Sequence, residues 1–224
     1  MGHGKQGLKK DYIISAVEAS LKRLQIDTID LYLSHRDDEE TPLEETLEAY
    51  KHLITHGKVR VVGASNYSAK RLSKAIEASH KTTYPAYQSL QPLYNLYDRA
   101  DFENGLQAVC EEWNLGVTPY YSLASGFLTG KYRSEKDFAQ SSRGQGAKKY
   151  LNPRGMKIIE ALDQVAKDYK TKPATVALAW LIAKPIVTSP IASATTVEQL
   201  SDLTAATNLK LKKESVDLLD KASS

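Results

Sequence analysis

The chain has 224 residues, 42% of them hydrophobic and 25% charged, proportions that suit a globular domain with a sizeable core and exclude a disordered or fibrous chain. Twelve glycines and eight prolines are too few for a collagen-like or low-complexity sequence. Thirty Lys and Arg against twenty-seven Asp and Glu leave a net charge of +3, and no window gathers the basic residues into the stripe that nucleic acid requires.

The first residues, Met1-Gly2-His3-Gly4-Lys5-Gln6-Gly7, contain no apolar stretch of a secretory signal, and Gln6 stands where a myristoylation signal has Ser or Thr. Apolar residues at Ile14, Val17, Leu21 and Leu24 then recur at spacings of three and four, which predicts a helix from Lys10 to Leu24. From Thr28 to Ser34 the period changes: Ile29, Leu31 and Leu33 alternate with Asp30, Tyr32 and Ser34, a strand that ends at His35. After Thr41-Pro42 the helical spacing returns in Leu43, Leu47, Tyr50 and Ile54, with Gly57 as the stop. The alternation continues with a strand at Val59–Ala64, a helix at Ala69–Ser79, a strand at Ala86–Leu90, a helix at Asp101–Glu112 and a strand at Gly116–Tyr120. Cys110 is the only cysteine, and its neighbours Leu106, Val109 and Trp113 predict a buried thiol in a reducing compartment, hence the cytoplasm. A polar loop from Tyr132 to Asn152 precedes a helix at Arg154–Tyr169 and a nearly all-apolar helix after Pro173. The apolar run Ala174–Ala183 is about half of the ~20 residues a membrane span needs, so no membrane partner is expected. A strand at Ile186–Thr188 between Pro185 and Pro190, a helix at Val197–Ala206 and a last helix at Ser215–Ala222 complete the chain.

Strand alternating with helix implies an α/β fold with a parallel sheet, because parallel strands need long crossover connections. The five predicted strands leave two shapes open, a doubly wound open sheet or part of an eight-stranded barrel. Gly2-x-Gly4-x-x-Gly7 before a helix, with Asp37 after the next strand, matches a dinucleotide fingerprint. That fingerprint also requires a strand before its first glycine, where only Met1 stands. His52 and His56 share a helix face, yet no third ligand accompanies them, and no metal site is expected. No G-x-S-x-G serine elbow occurs. His35 differs from these because it ends a strand, where barrel side chains converge on substrate. Gly63-Ala64-Ser65-Asn66, Gln88 and Pro119-Tyr120-Tyr121-Ser122 end the following strands. Amides, hydroxyls and an aromatic ring suit a planar heterocycle bearing a carboxamide, such as nicotinamide.

These strand ends resemble the aldo-keto reductase family from about Leu8 to Ser223. Ile29-Asp30-Leu31-Tyr32-Leu33-Ser34-His35 resembles the family's fourth barrel strand with its active-site histidine, and Val62-Gly63-Ala64-Ser65-Asn66-Tyr67 its fifth. Pro85-Ala86-Tyr87-Gln88 resembles the sixth strand, and the segment from Pro119 to Lys131 the loop that closes over the cofactor. The resemblance implies a (β/α)8 barrel of TIM type that binds NADP(H) in extended form and reduces an aldehyde or ketone to its alcohol by hydride transfer. It implies that Ser65, Asn66 and Gln88 hold the carboxamide, and that Tyr120, or Tyr121 in its stead, stacks on the ring. Amides from Ser122 and Leu123 to Ser125, with Lys131 and Arg143, would meet the pyrophosphate and ribose; Ser193, Thr195 and Gln199 would face the 2′-phosphate. Thr195 stands where many members carry Arg, Lys or Ser, and Leu203 where asparagine is common.

The family's first three strands, with its aspartate, its proton-donating tyrosine and the adjacent lysine, find no counterpart before Leu8. The resemblance therefore implies an N-terminally truncated, incomplete barrel of strands four to eight, a single partial domain over residues 1–224 in which His35 is the catalytic residue retained. Tyr12, on a helix, and Tyr32, inside a strand, do not reach the rim. An incomplete barrel leaves unpaired sheet edges open to self-association. The expectation is an oxidoreductase whose turnover the missing acid withholds from this chain; the alternative is a dinucleotide-binding module or fragment without catalysis.

Overall fold

The computed structural model describes residues 7–141 and 144–224, which form two compact units. The described residues up to Gln91, with Gly105–Gly116, make the first; Pro92–Asn104 with Val117–Ser224 make the second.

The first unit is built of βα repeats. Helix α1 (Lys10–Leu24) precedes β1 (Ile29–Ser34), α2 (Leu43–Thr55), β2 (Val59–Ser65), α3 (Ala69–Lys81) and β3 (Ser89–Gln91). The strands are parallel and adjacent in chain order: Leu31 pairs with Val61 and Leu33 with Gly63, then Gly63 with Ser89 and Ser65 with Gln91. The amide of Gly116, which opens β4 (Gly116–Val117), donates to the Gln88 carbonyl at 3.0 Å. Successive strands laid side by side without a reversal of order are the winding of a barrel rather than of a doubly wound sheet, whose order switches direction. Gly63 is required where it stands, since a Cβ there would lie 2.2 Å from Ser89 Oγ and 2.5 Å from Leu33 Cδ2. The helices cover the sheet with Leu47, Tyr50 and Leu53 of α2 and Leu72 and Ile76 of α3, each at most 1% exposed and each contributing about 1.5–3 kcal/mol by burial.

In α1 the buried row is Ile13, Val17 and Leu21, not the row ending at Leu24 that the spacing predicts. Leu24 is 61% exposed, because buried neighbours four apart lie along one ridge and the chain leaves it at Gln25, which turns left-handed and donates its amide to the Leu21 carbonyl. The predicted helix at Asp101–Glu112 is a π-helical turn at Phe102–Leu106 followed by α4 (Gln107–Glu112); Gly105 inside it lowers the propensity for regular helix. Cys110 on α4 is fully buried, and desolvation pushes its thiol up to about 12, away from reactivity.

In the second unit the predicted loop at Tyr132–Asn152 carries short helical turns, at Glu135–Gln140 and Lys148–Tyr150, and α5 (Gly144–Ala147). Helices α6 (Pro153–Asp168), α7 (Pro173–Ile182), α8 (Val197–Ala205) and α9 (Lys213–Ser223) follow. Every residue from Ala174 to Leu181 is buried, as an all-round apolar helix must be. Trp180 anchors it, its indole N–H donating to Asp220 of α9 at 2.9 Å with the Lys184 ammonium 4.6 Å from its ring centre. The strand predicted at Gly116–Tyr120 stops at Val117 because Pro119 has no amide to donate, and Tyr120 forms an isolated bridge with Leu93. The strand predicted at Ile186–Thr188 shrinks to a bridge between Val187 and Val117, with Pro185 and Pro190 on either side. Among the described residues no helix is long and apolar enough to cross a membrane.

Candidate functional site

In the first unit His35, Ser65 and Asn66 lie at the C-terminal ends of β1 and β2, whereas Gln88, predicted to finish the third strand, precedes β3, which ends at Gln91. His35 follows β1 with its side chain exposed, and its carbonyl accepts a 2.7 Å hydrogen bond from Asn66 Nδ2. Asn66 follows β2 in the left-handed region (φ 55°), which asparagine tolerates better than most residues. The same Nδ2 donates to Ser65 Oγ at 3.1 Å, and Ser65 Oγ donates to the Gln91 carbonyl at 2.8 Å. Ser65 is 1% exposed, so its hydroxyl ties the end of β2 to β3. Gln88 is exposed, with Nε2 3.3 Å from the Ala86 carbonyl.

Beneath these ends lies a chain of buried hydroxyls. Ser34 Oγ is 2.5 Å from Tyr50 OH and 2.9 Å from Tyr87 OH, and Tyr87 OH is 3.0 Å from Tyr67 OH. Burial pushes Tyr50, Tyr67 and Tyr87 above the ordinary phenol range, and Tyr32 beside them as well. These phenols hold their protons.

Two other sequence candidates have structural employment. Both Asp37 oxygens accept from Arg71 Nε at 3.0 Å, and that guanidinium also donates to the carbonyls of Asp38 and Thr41; the acid of the dinucleotide fingerprint is thus bound to a neighbour. The fingerprint glycines Gly2 and Gly4 lie outside the described residues. His56 Nδ1 is 2.8 Å from the His52 carbonyl, and among the described residues no group of three or more His, Cys, Asp or Glu is arranged to hold a metal ion.

The second unit contains a cleft of about 420 Å³, within the range of small-molecule sites. Tyr121, Ser122, Leu123, Ser125, Lys131, Ser193, Thr195 and Gln199 all line it. Tyr120 does not: it is half-buried, while Tyr121 is 56% exposed on the cleft wall. Arg143 lies outside the described residues. The wall from Tyr121 to Gly126 is a tight loop in which Tyr121 (φ 53°), Ala124 (φ 48°) and Ser125 (φ 57°) are left-handed without being glycine. Each costs of order 1–2 kcal/mol, and such strain gathers at binding and catalytic sites. Across the cleft, Thr196 caps α8 by accepting the Gln199 amide at 3.2 Å, and Gln199 Oε1 accepts from the Thr195 amide at 2.9 Å and its hydroxyl at 3.1 Å.

Lys172 and Asp202 also line the cleft, and sequence reasoning missed both. Asp202 was legible as the i+3 neighbour of Gln199 on one helix face. Lys172 gave no local signal, since only the packing of α7 turns its N-cap toward the cleft.

The aldo/keto reductase family model matches residues 1–224. The chain belongs to the aldo/keto reductase family. Among its relatives it is 32% identical over 225 residues to the L-glyceraldehyde 3-phosphate reductase of Escherichia coli O157:H7, covering 97% of this chain and 64% of that protein. It is 32% identical over 211 residues to the aldo-keto reductase yakc [NADP(+)] of Schizosaccharomyces pombe, covering 92% and 60% of the two chains. It is 31% identical over 204 residues to a probable voltage-gated potassium channel subunit beta of Oryza sativa subsp. japonica, covering 89% and 62%. The chain thus spans about three-fifths of the length of these relatives. The parallel strands of the first unit fit the family's α/β barrel class.

Proposed function

We propose that the chain binds NADP(H) and forms part of an oxidoreductase that reduces an aldehyde or ketone to its alcohol. The observation that carries this reading is the cleft of the second unit, where Tyr121–Lys131 and Ser193–Gln199, remote in sequence, line one cavity. Its residues fit the ligand: an exposed aromatic ring for stacking, the hydroxyls of Ser193 and Thr195, and the ammonium groups of Lys131 and Lys172 for phosphate. When bound, the dinucleotide supplies hydride. Taken by itself, the first unit offers His35 to polarise a carbonyl and Asn66 and Gln88 to hold a carboxamide, while the buried Ser65 hydroxyl is spent on the Gln91 carbonyl. The four strands and the bridge at Val187 correspond, on this reading, to strands four to eight of a family barrel domain, and the buried thiol of Cys110 suits a reducing cytoplasm.

A second reading, dinucleotide binding without turnover, is favoured by one observation. The phenols of Tyr50, Tyr67 and Tyr87 in the first unit are buried and hydrogen-bonded to one another or to Ser34, whereas protonating a nascent alkoxide calls for an acid within reach of the substrate. Calorimetric titration with NADP+, followed by NADPH oxidation with glyceraldehyde 3-phosphate as the probe aldehyde, separates the readings. Saturable binding is expected; no binding at about 1 mM, the weak end of ordinary enzyme affinities, overturns both. Turnover then supports the oxidoreductase, and binding alone the second reading. We further propose that the chain associates with itself through β1, which among the described strands has a neighbour on one side only.

A further inference from the structure

Asn95 belongs to the same unit as the cleft and is 0% exposed. Its carboxamide uses every hydrogen-bonding position it has. Oδ1 accepts the amides of Tyr97 at 2.8 Å and Asp98 at 2.9 Å, while Nδ2 donates to Asp98 Oδ2 at 3.0 Å and to the Tyr121 carbonyl at 3.0 Å. Asp98 Oδ2 also accepts the Tyr150 hydroxyl at 2.7 Å, so the amide is braced from behind. The Tyr121 carbonyl accepts the Ala124 amide as well, at 2.7 Å. A bulky residue leaves the left-handed region unless its peptide is held there, and Tyr121 is held by these two donors. Tyr121 is 56% exposed and lines the cleft.

We infer that Asn95 is a positioning residue of the cleft: by clamping the Tyr121 carbonyl it fixes the Tyr121 ring as the platform for a planar heteroaromatic ligand. The inference rests on the dinucleotide reading above and adds a buried side chain that tunes affinity without lining the cleft. The test is a double-mutant cycle in the full chain, with NADP+ affinity measured by calorimetry and thermal unfolding recorded for each variant. Tyr121→Ala weakens NADP+ binding about ten-fold, the scale of one lost ring stack. Asn95→Ala weakens it by about five-fold, and adding Asn95→Ala to Tyr121→Ala costs less than about two-fold more, because a clamp on a missing ring has nothing to position. Additive losses overturn the proposal and make Asn95 a general stabiliser. Should Asn95→Ala not fold, Tyr150→Phe loosens the same clamp one bond further out and is expected to weaken binding only where the Tyr121 ring is present; equal losses with and without the ring overturn it. Unmodified protein that binds NADP+ no better than Tyr121→Ala defeats the inference alone, whereas unmodified protein that does not bind at all defeats the dinucleotide reading and the inference with it.

Discussion

Asp38 shows how one side chain organises a loop end. Its Oδ2 accepts the Leu8 amide at 2.8 Å and the Thr41 hydroxyl at 2.7 Å, and its Oδ1 accepts the Glu40 amide at 3.2 Å. The Thr41 hydrogen bond, followed by that from Leu8, lowers the carboxyl below its ordinary 3.8. A folded-state value below the unfolded one means that the unfolded chain takes up the proton first as pH falls. The stabilisation is therefore full above the unfolded value and is lost as pH drops through the folded one. Asp38→Asn is expected to be less stable than the unmodified protein in urea at about pH 7, with the gap narrowing at about pH 3; an equal gap at both would show that the charge is irrelevant. The bonds from Glu40 and Thr41 are local to Asp38, but the bond from Leu8 spans 30 residues and no local pattern announces it. Residues at strand ends were more legible. His35, Ser65 and Asn66 follow from the alternation that ends each strand, whereas Gln88 precedes β3 and Gln91 ends it, and the bond from Asn66 to the His35 carbonyl depends on the parallel register of β1 and β2.

Among the elements, helices with a local stop or start signal were read almost to the residue. The spacing predicts Lys10–Leu24 and the helix spans those residues; Pro173 opens α7 as a proline at the first turn should. Asn152 opens α6, accepting the Gly155 amide at 3.0 Å while Nδ2 donates to Tyr97 OH at 2.8 Å. Asn152→Ala is expected to cost about 1–2 kcal/mol, the upper range for a lost cap, read as a lower urea midpoint with an unchanged slope. Asn152→Asp should recover the cap bond and part of that loss, and recovery absent from the denaturation curve would argue that the contact to Tyr97 dominates. Short elements were misread for the opposite reason. The strand expected at Ile186–Thr188 and the later part of Gly116–Tyr120 have hydrophobic alternation, but prolines deny them a ladder, so they persist only as bridges.

On the scale of the whole molecule, Leu31 of β1 is 38% exposed, and among the described strands β1 has a neighbour, β2, on one side only. Such an edge invites another strand unless charges guard it. Sedimentation of the chain is expected to show concentration-dependent association, and Leu31→Lys to shift it toward monomer; a monomer at all concentrations would remove the self-association proposal. The sequence alone determined the class of fold, because hydrophobic period and turn residues act over a few neighbours and state strand or helix directly. It also carried the family motifs, which are contiguous. Tertiary structure decided that Tyr121 rather than Tyr120 lines the cleft, that Lys172 and Asp202 join it, and that Asp37 is paired with Arg71. These depend on backbone handedness at single residues and on contacts between segments far apart in the chain, which no local pattern encodes.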